Sequence, residues 1–352
     1  MKVTFNSSSF RINTLPRSPL PEYGSPTSPR ATNASPNPLY VEKNTSYVIR
    51  HKTYTIHPTL FQPTPMGTAT LCAHYSNKYA INLTSLDLET KVEAADNAFN
   101  FFSYLQENEY YLDIEEGKTK GIVLSHGQFH AIPVLLCKKD GIKHLMVFDS
   151  TSGPRVKGYY KMANLFPDFQ FYLNAGTRQA DEGSCITDAV CILKEALQIK
   201  NLVHIIKNKR FIPLDLLRAT IFSSSMPKNF HVFRMPEQLL LTAQIAKYLN
   251  DANLDTVIRG GQTLRHYRET YVMSVSFIKG IVNTANINSY LYIKACEHKD
   301  LLDLYWSKAN QQTTFSPDQM LLVDAAPHFV PISPQFEDET PIRASLLPSL
   351  SR

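Results

Sequence analysis

The segment from His130 to Asp149 limits the possible folds of this 352-residue chain more than any other part of it. Two apolar runs, AIPVLL and HLMVF, are joined there by Lys138-Lys139-Asp140-Gly141. Asp-Gly between apolar runs is a strong β-hairpin signal. We therefore predict strands over 120–136 and 143–149, paired so that position 149 returns close to position 130.

Further elements are predicted on either side of this hairpin. Aromatic alternation predicts a third strand over 168–174, and an apolar face predicts a helix over 185–199. Ser85 as N-cap predicts a mostly helical segment over 85–112. The chain from 206 to about 310 is predicted to be mainly helical with loops. The expected fold is therefore α+β, with a mixed sheet flanked by helices.

The composition along the chain predicts four regions. Residues 1–45 are rich in Ser, Pro and Asn and lack apolar periodicity, which is typical of a disordered segment. The catalytic core, with a helical part at its N-terminal end, is expected over 46–205. A helical region packed on the core is expected over 206–315, and a loose tail over 316–352.

Charge and cysteine content exclude several function classes. The net charge of +5 suits an anionic ligand but is too weak to indicate nucleic-acid binding. No apolar run approaches the roughly 18 residues of a membrane span, so we expect a soluble protein. The five cysteines form no CxxC pair, so neither a metal site nor a disulfide framework is expected, and a reducing compartment is indicated. No feature indicates an oligomeric state.

Cys185 differs from the other cysteines in its position. It follows a polar loop and stands at the predicted start of a helix, with Ser184 as the expected cap. The amides and the positive dipole end of a helix N-terminus favour a thiolate, and such cysteines have pKa values lowered from about 8.5 to roughly 3.5–7.5. Small buried side chains are expected at the four cysteines inside apolar runs, which are Cys72, Cys137, Cys191 and Cys296.

Three further residues complete a possible catalytic group. His130 opens one predicted strand and Asp149 closes its partner, so an imidazole base and its orienting acid would face the thiol. Gln179, six residues before Cys185, could donate its amide to an oxyanion together with the Cys185 backbone N–H. His130 or Asp149 alone is more often structural, and Gln179 alone is as often an ordinary loop residue, but their combined spacing favours catalysis. His126 and His144 are weaker candidates for the base because they are out of phase with the hairpin.

The order of these residues resembles that of clan CE cysteine enzymes, and more closely that of the YopJ family of bacterial effector acetyltransferases. The triad spacing is the specific part of the resemblance, which covers most of residues 70–303. Flanking similarities lie at Asn77-Lys78-Tyr79, Asn82-Leu83, Leu86-Asp87-Leu88, Pro167-Asp168, Phe171, Asn288-Ser289, Lys294 and Glu297-His298-Lys299.

The resemblance implies an enzyme that moves acetyl from acetyl-CoA to Cys185 and then to Ser, Thr or Lys of a host protein, signalling kinases among them. His130 would be the base, Asp149 its orienter and Gln179 the oxyanion donor. It also implies secretion by a bacterial secretion system into the host cytoplasm, and activation by inositol hexakisphosphate. Candidates for the phosphate pocket are Lys247, Arg265, Arg268, Lys294 and Lys299.

Two other functions use the same residues. A clan CE isopeptidase would use the triad to remove ubiquitin or a related modifier, although no sequence feature marks a groove for the modifier's tail. A catalytically inactive binding module is the third reading, since Ile186 stands where the resembled family usually has Gly.

Overall fold

The computed structural model confirms an α+β fold, with a central mixed sheet flanked by helices. Residues 1–36 and 313–352 lie outside the described residues, and they include most of the predicted disordered segment 1–45 and all of the predicted loose tail 316–352. The structure describes residues 37–49, 52–87, 97–108, 112–126, 130–151, 159, 161–179, 181, 183–211, 227–244, 249, 252–259, 261–277, 283–288 and 290–312.

The described part of the chain contains the following strands and helices. The strands are β1 Tyr40–Ile49, β2 Lys52–Pro63, β3 Leu83–Asp87, β4 Thr119–His126, β5 His130–Lys139, β6 Ile142–Val147, β7 Phe169–Asn174, β8 Arg210–Phe211, β9 Phe230–Phe233, β10 Val257–Arg259, β11 Gln262–Thr263, β12 Val272–Phe277 and β13 Asn283–Asn288. The helices are α1 Pro65–Tyr79, α2 Asn97–Glu107, α3 Cys185–Ala196, α4 Leu202–Asn208, α5 Leu264–Thr270 and α6 Tyr290–Gln312, with 3₁₀ turns at Ala163–Leu165 and Glu237–Thr242.

The central sheet has seven strands in the order β3-β4-β5-β6-β7-β9-β8. β5 runs antiparallel to β4 and β6, and β8 runs antiparallel to β9. The pairs β3–β4, β6–β7 and β7–β9 are parallel. Because β5 and β6 are antiparallel, the start of β5 and the end of β6 lie side by side at the same end of the strands. This end of the strands is called the sheet edge below.

The hairpin predicted from Asp140-Gly141 is confirmed. Lys139 pairs with Ile142, and Asp140 and Gly141 have φ values of 54° and 73°. Positive φ at both central residues is the requirement of a type I′ turn, whose twist matches that of the flanking strands. The turn chemistry in the sequence therefore fixes the register between β5 and β6.

Two predicted elements are wrong. The strand predicted over 120–136 is two antiparallel strands, β4 and β5, with His126 opposite His130. Ser85 does not cap a helix, because it lies in β3 opposite Val123 of β4. The helix predicted there is shorter, with α2 as its described part, because sheet pairing and burial of Leu83 and Leu86 override local helix propensity.

The region after residue 206 contains more strands than the sequence indicated. α5 and α6 are helical as expected, but β8 and β9 extend the central sheet, and β10–β11 and β12–β13 form two small antiparallel pairs. The apolar segment around Leu239–Leu241 forms a 3₁₀ turn rather than a longer helix. At the other end, β1 begins at Tyr40, inside the segment predicted to be disordered.

Both faces of the central sheet are buried. One face packs on α3, where Ala189, Val190 and Leu193 are fully buried. A Cβ built at Gly121 of β4 would lie 3.0 Å from Leu197 Cδ1, so this glycine lets the helix approach the strand closely. The opposite face packs on an aromatic cluster. Strands covered on both faces are apolar without interruption, as the sequence of β5 shows.

The aromatic cluster is centred on Phe102 of α2. Its ring lies 6.0 Å from that of Tyr159, 5.8 Å from that of Phe166 and 5.7 Å from that of Phe171. Phe102 is completely buried. This cluster therefore covers the second face of the sheet and holds Tyr159 in place.

No helix in the described part of the chain combines the length and the hydropathy of a membrane span.

Replacing Phe102 with Ala should lower the free energy of unfolding by about 3–5 kcal/mol, because it opens a cavity among the surrounding rings. Met66→Ala is the matched control, since Met66 is 55% exposed and its loss should change stability by less than about 0.5 kcal/mol. Urea unfolding monitored by circular dichroism measures both. Equal stability losses in the two variants would contradict the packing described for Phe102.

Candidate active site

The structure brings His130, Asp149 and Cys185 together at one edge of the central sheet. His130 is the first residue of β5, Asp149 follows the end of β6, and Cys185 is the first residue of α3. His130 Nε2 lies 3.4 Å from Asp149 Oδ1. The Cys185 side chain is close enough to the same imidazole to raise its pKa. The three residues thus stand in the order acid, base, thiol.

Asp149 is completely buried, and both of its carboxylate oxygens accept hydrogen bonds. Oδ1 accepts from the Thr151 backbone N–H at 2.9 Å and from the Thr151 hydroxyl at 3.0 Å. Oδ2 accepts from the Tyr159 hydroxyl at 2.7 Å. Burial raises the pKa of Asp149, but the hydrogen bonds from His130, Thr151 and Tyr159 outweigh burial and hold that pKa well below its usual range.

The charged form of His130 is favoured by its two partners. Burial lowers the pKa of the imidazole, but hydrogen bonds and charge interactions with Asp149 and Cys185 outweigh this effect and raise the pKa from 6.5 to about 9. The side chain is 13% exposed, so solvent screens these interactions only weakly. An imidazole placed between a carboxylate and a thiol is in position to exchange a proton with the thiol.

Cys185 is 3% exposed and begins a helix that is buried along almost its whole length. Ser184 holds the N-cap position as predicted, but its side chain makes no capping hydrogen bond. The Asp181 carboxylate instead accepts the N–H of Ser184 at 2.8 Å and of Gly183 at 3.1 Å. The positive end of the α3 dipole points at the thiol and favours negative charge there.

Gln179 lies close to this group but its amide already has partners. Its Nε2 donates to Asp181 O at 2.8 Å and to Asp181 Oδ1 at 3.1 Å, and its Oε1 accepts from the Ser150 hydroxyl at 2.5 Å. The side chain is therefore buried and fixed in orientation. An oxyanion would have to replace one of the two bonds to Asp181 in order to be bound by this amide.

The two weaker candidates for the base, His144 and His126, lie at different places in the sheet. His144 pairs with Cys137 toward the opposite end of the sheet from His130. Burial first, and then Lys207, lower the pKa of His144 to about 4, so it is neutral. The backbone of His126 lies opposite that of His130 in the β4–β5 pair.

Three of the other four cysteines are buried as predicted, whereas Cys296 is only half-buried. Burial raises the pKa of Cys72, Cys137 and Cys191 to about 12 in each case. Cys296 of α6 is half-buried, and burial raises its pKa as well. Among the described residues no group of His, Cys, Asp and Glu side chains could hold a metal ion.

Four of the five predicted phosphate ligands are described, and each of these four makes a separate local contact. Lys247 lies outside the described residues. Arg268 of α5 is half-buried and donates from Nη1 to Ala243 O at 3.2 Å. Each of the other three pairs with its own carboxylate: Arg265 with Asp255 at 3.0 Å, Lys294 with Glu297 at 2.5 Å and Lys299 with Asp303 at 2.6 Å.

Several residues that support the site were not found from the sequence. Tyr159 and Thr151 hold Asp149, and Asp181 holds the loop before the nucleophile. Arg178 and Asp188 form a completely buried ion pair at the first turn of α3. The one sequence signal for them was local: DEGSC places an acid four residues before Cys185, where it can accept helix N-terminal amides.

Neither a protein-family model nor a curated protein matches the chain. Solved structures do match in outline. One is of AvrA with inositol hexakisphosphate (IP6) and CoA, at 15% identity, covering 66% of this chain and 85% of that chain, with a TM-score of 0.45. Another is of HopZ1a with IP6 and CoA, at 10% identity, covering 67% and 84%, with a TM-score of 0.47. AvrA and HopZ1a are YopJ-family effectors.

The depressed pKa of Asp149 predicts how stability responds to acid. Its carboxylate stabilises the fold above pH 3.8, its unfolded value, and this contribution is lost as the pH falls toward the lower folded value. Asp149→Asn should therefore remove up to about 1.4 kcal/mol per pH unit from the slope of unfolding free energy below pH 3.8. Urea unfolding from about pH 5 to pH 2 measures the slope.

Asp113→Asn serves as the control, because Asp113 is an exposed carboxylate. Its slope should match that of the wild type. If the slope of unfolding free energy against pH were the same in Asp149→Asn as in the wild type, the hydrogen bonds to Asp149 would not lower its pKa in the folded state.

Proposed function

We propose that this protein is a cysteine-dependent acetyltransferase that moves acetyl from acetyl-CoA, through Cys185, to Ser, Thr or Lys side chains of another protein. The observation that carries the proposal is the group of His130, Asp149 and Cys185 at one sheet edge. A thiol beside an imidazole, with a buried carboxylate behind it, is the arrangement of nucleophilic acyl transfer.

In the first half-reaction Cys185 Sγ attacks the carbonyl carbon of a thioester. The new C–S bond forms, the carbonyl electron pair moves to oxygen, and the α3 N-terminus together with the Gln179 amide stabilises that oxyanion. The oxyanion then collapses, the bond to the leaving sulfur breaks, and His130 gives its proton to that sulfur. The product is an acetyl group on Cys185 and a neutral imidazole.

In the second half-reaction His130 is the general base. It takes the proton of an acceptor hydroxyl or amine as the acceptor attacks the Cys185 acetyl carbon. The bond to Cys185 breaks, and the thiolate is regenerated beside an imidazolium. Asp149 keeps the ring oriented in both steps and stabilises its charged form, with Tyr159 and Thr151 keeping the carboxylate fixed.

The identity of the acyl donor and the biological setting follow from the sequence resemblance to the YopJ family. The triad spacing and the flanking segments favour acetyl-CoA as donor and a host protein as acceptor. The same resemblance supports a role as a bacterial effector that acts in the host cytoplasm, with signalling kinases among its candidate targets. The triad by itself also fits an isopeptidase, and the test below separates the two.

Inositol hexakisphosphate is proposed as an activator on the same basis. Its candidate ligands are Lys247, Arg265, Arg268, Lys294 and Lys299. Since Asp255, Glu297 and Asp303 already pair with three of these side chains, a polyphosphate would have to compete with carboxylates for them. A ligand that carries several negative charges on one small ring can do so, because it offers each cation more than one charged oxygen.

An intact-mass measurement of the purified chain with acetyl-CoA, with and without inositol hexakisphosphate, tests the proposal. The expected result is a single acetyl adduct that is lost in Cys185→Ala and kept in Cys296→Ala, which removes a half-buried cysteine from α6. A faster adduct in the presence of inositol hexakisphosphate would support its role as activator.

Two results would contradict the proposed acetyltransferase activity. An adduct that persists in Cys185→Ala would place the acetyl group elsewhere. Absence of any adduct, with Cys185 captured by an electrophilic ubiquitin-type probe, would assign the triad to an isopeptidase instead.

A further inference from the structure

Asp181 has a buried carboxylate in the loop that leads to the nucleophile. The residue is 7% exposed. Its Oδ1 accepts three hydrogen bonds, from the Gly183 N–H at 3.1 Å, the Ser184 N–H at 2.8 Å and Gln179 Nε2 at 3.1 Å. One oxygen atom thus joins the oxyanion-donor candidate to the two residues that precede Cys185.

The second oxygen of Asp181 is held from a different part of the chain. Oδ2 accepts a hydrogen bond from Gln244 Nε2, and Gln244 Oε1 accepts the Asp181 N–H at 3.2 Å. The Gln244 backbone N–H also donates to Arg178 O at 2.8 Å. The side chain and backbone of Gln244 therefore bind both ends of the segment 178–181, which contains Gln179.

The backbone next to Gln244 is fixed in turn by two elements of the C-terminal half. Asn288 Nδ2, at the end of β13, donates to Leu241 O and to Ala243 O, both at 3.2 Å. Arg268 Nη1 of α5 donates to the same Ala243 oxygen at 3.2 Å. Asn288 and Gln244 are buried. A continuous set of hydrogen bonds thus runs from β13 and α5 to the loop before Cys185.

We propose that Asp181 and Gln244 are positioning residues for the nucleophile. Asp181 sets the conformation of the loop that presents Cys185 and the place of the Gln179 amide, and Gln244 sets the orientation of the Asp181 carboxylate. The inference deepens the proposed function and rests on it. Neither residue touches the reacting atoms in this account, so each acts through Gln179, Ser184 and Cys185.

The chemistry of the pair makes the proposal testable with near-isosteric changes. Asp181→Asn keeps Oδ1 with its three donors but puts an NH₂ group where Oδ2 accepts from Gln244 Nε2. Two amide donors then face each other, and the loop has to shift to separate them. Asp181→Asn combined with Gln244→Glu restores a donor opposite an acceptor and keeps the total charge. The double variant should therefore recover what the single variant loses.

The experiment measures the rate at which iodoacetamide alkylates Cys185 in the full-length protein, followed by peptide mass spectrometry. This rate depends on the accessibility and the reactivity of the Cys185 thiol, and its measurement does not require acetyl-CoA. Asp181→Asn should slow alkylation at least about tenfold, since small displacements of catalytic groups have costs of that size or larger. The alkylation rate of the double variant should return to within about threefold of the wild-type rate, a difference of less than about 0.7 kcal/mol. The rate of the control variant Asp113→Asn should equal the wild-type rate.

Circular dichroism and the melting midpoint show whether each variant is folded. If Asp181→Asn does not fold, the alkylation rate of Cys185 in Gln244→Ala tests the positioning role instead. This variant leaves the three donors to Asp181 Oδ1 in place. Alkylation unchanged in a folded Asp181→Asn or Gln244→Ala protein would overturn the positioning role. A slow single variant that the double variant fails to rescue would overturn the link to Gln244.

A wild-type protein in which Cys185 reacts no faster than Cys296 gives a different result. It would count against Cys185 as the nucleophile, and therefore against the proposed function itself. A reactive Cys185 that is insensitive to Asp181 counts against the positioning residues alone. The two failures are thus distinguishable.

Discussion

The site depends on the hydrogen bonds made to the buried carboxylate of Asp149. An unpaired charge in that position would be costly, and Thr151, Tyr159 and His130 remove the cost by supplying donors to both oxygens. Tyr159 in turn is held by Phe102 in the aromatic cluster under the sheet. The packing of one sheet face is therefore connected to the charge state of the His130 imidazole at the sheet edge.

The opposite face of the sheet carries Cys185, the proposed nucleophile. α3 packs there, closely enough at Gly121 that a side chain would meet Leu197, and its first residue is Cys185. Asp181 and Gln244 hold the loop before the helix, and Arg178 and Asp188 form an ion pair beneath it. The sheet, which carries Asp149 and His130, and the helix α3, which carries the Cys185 thiol, thus meet at the sheet edge.

The sequence predicted what local chemistry determines. Asp140-Gly141 sets a type I′ turn, so the return of Asp149 to His130 could be foreseen. Ser85 in β3 could not, because its strand is defined by pairing with β4, a partner about 38 residues away. The same reason hid Gln244, whose role depends on a contact with Asp181 across 63 residues of chain. Long-range partners leave no periodic signal in a single sequence.

The most direct test of the account is an NMR titration of the His130 imidazole, with isotope-labelled histidine, in the wild type and in Cys185→Ala. We expect a pKa near 9 in the wild type, because Asp149 and Cys185 both favour the imidazolium, and a lower pKa once the thiol is removed. A wild-type pKa near 6.5 that does not change in Cys185→Ala would show that His130 does not interact with the thiol, and would contradict the account.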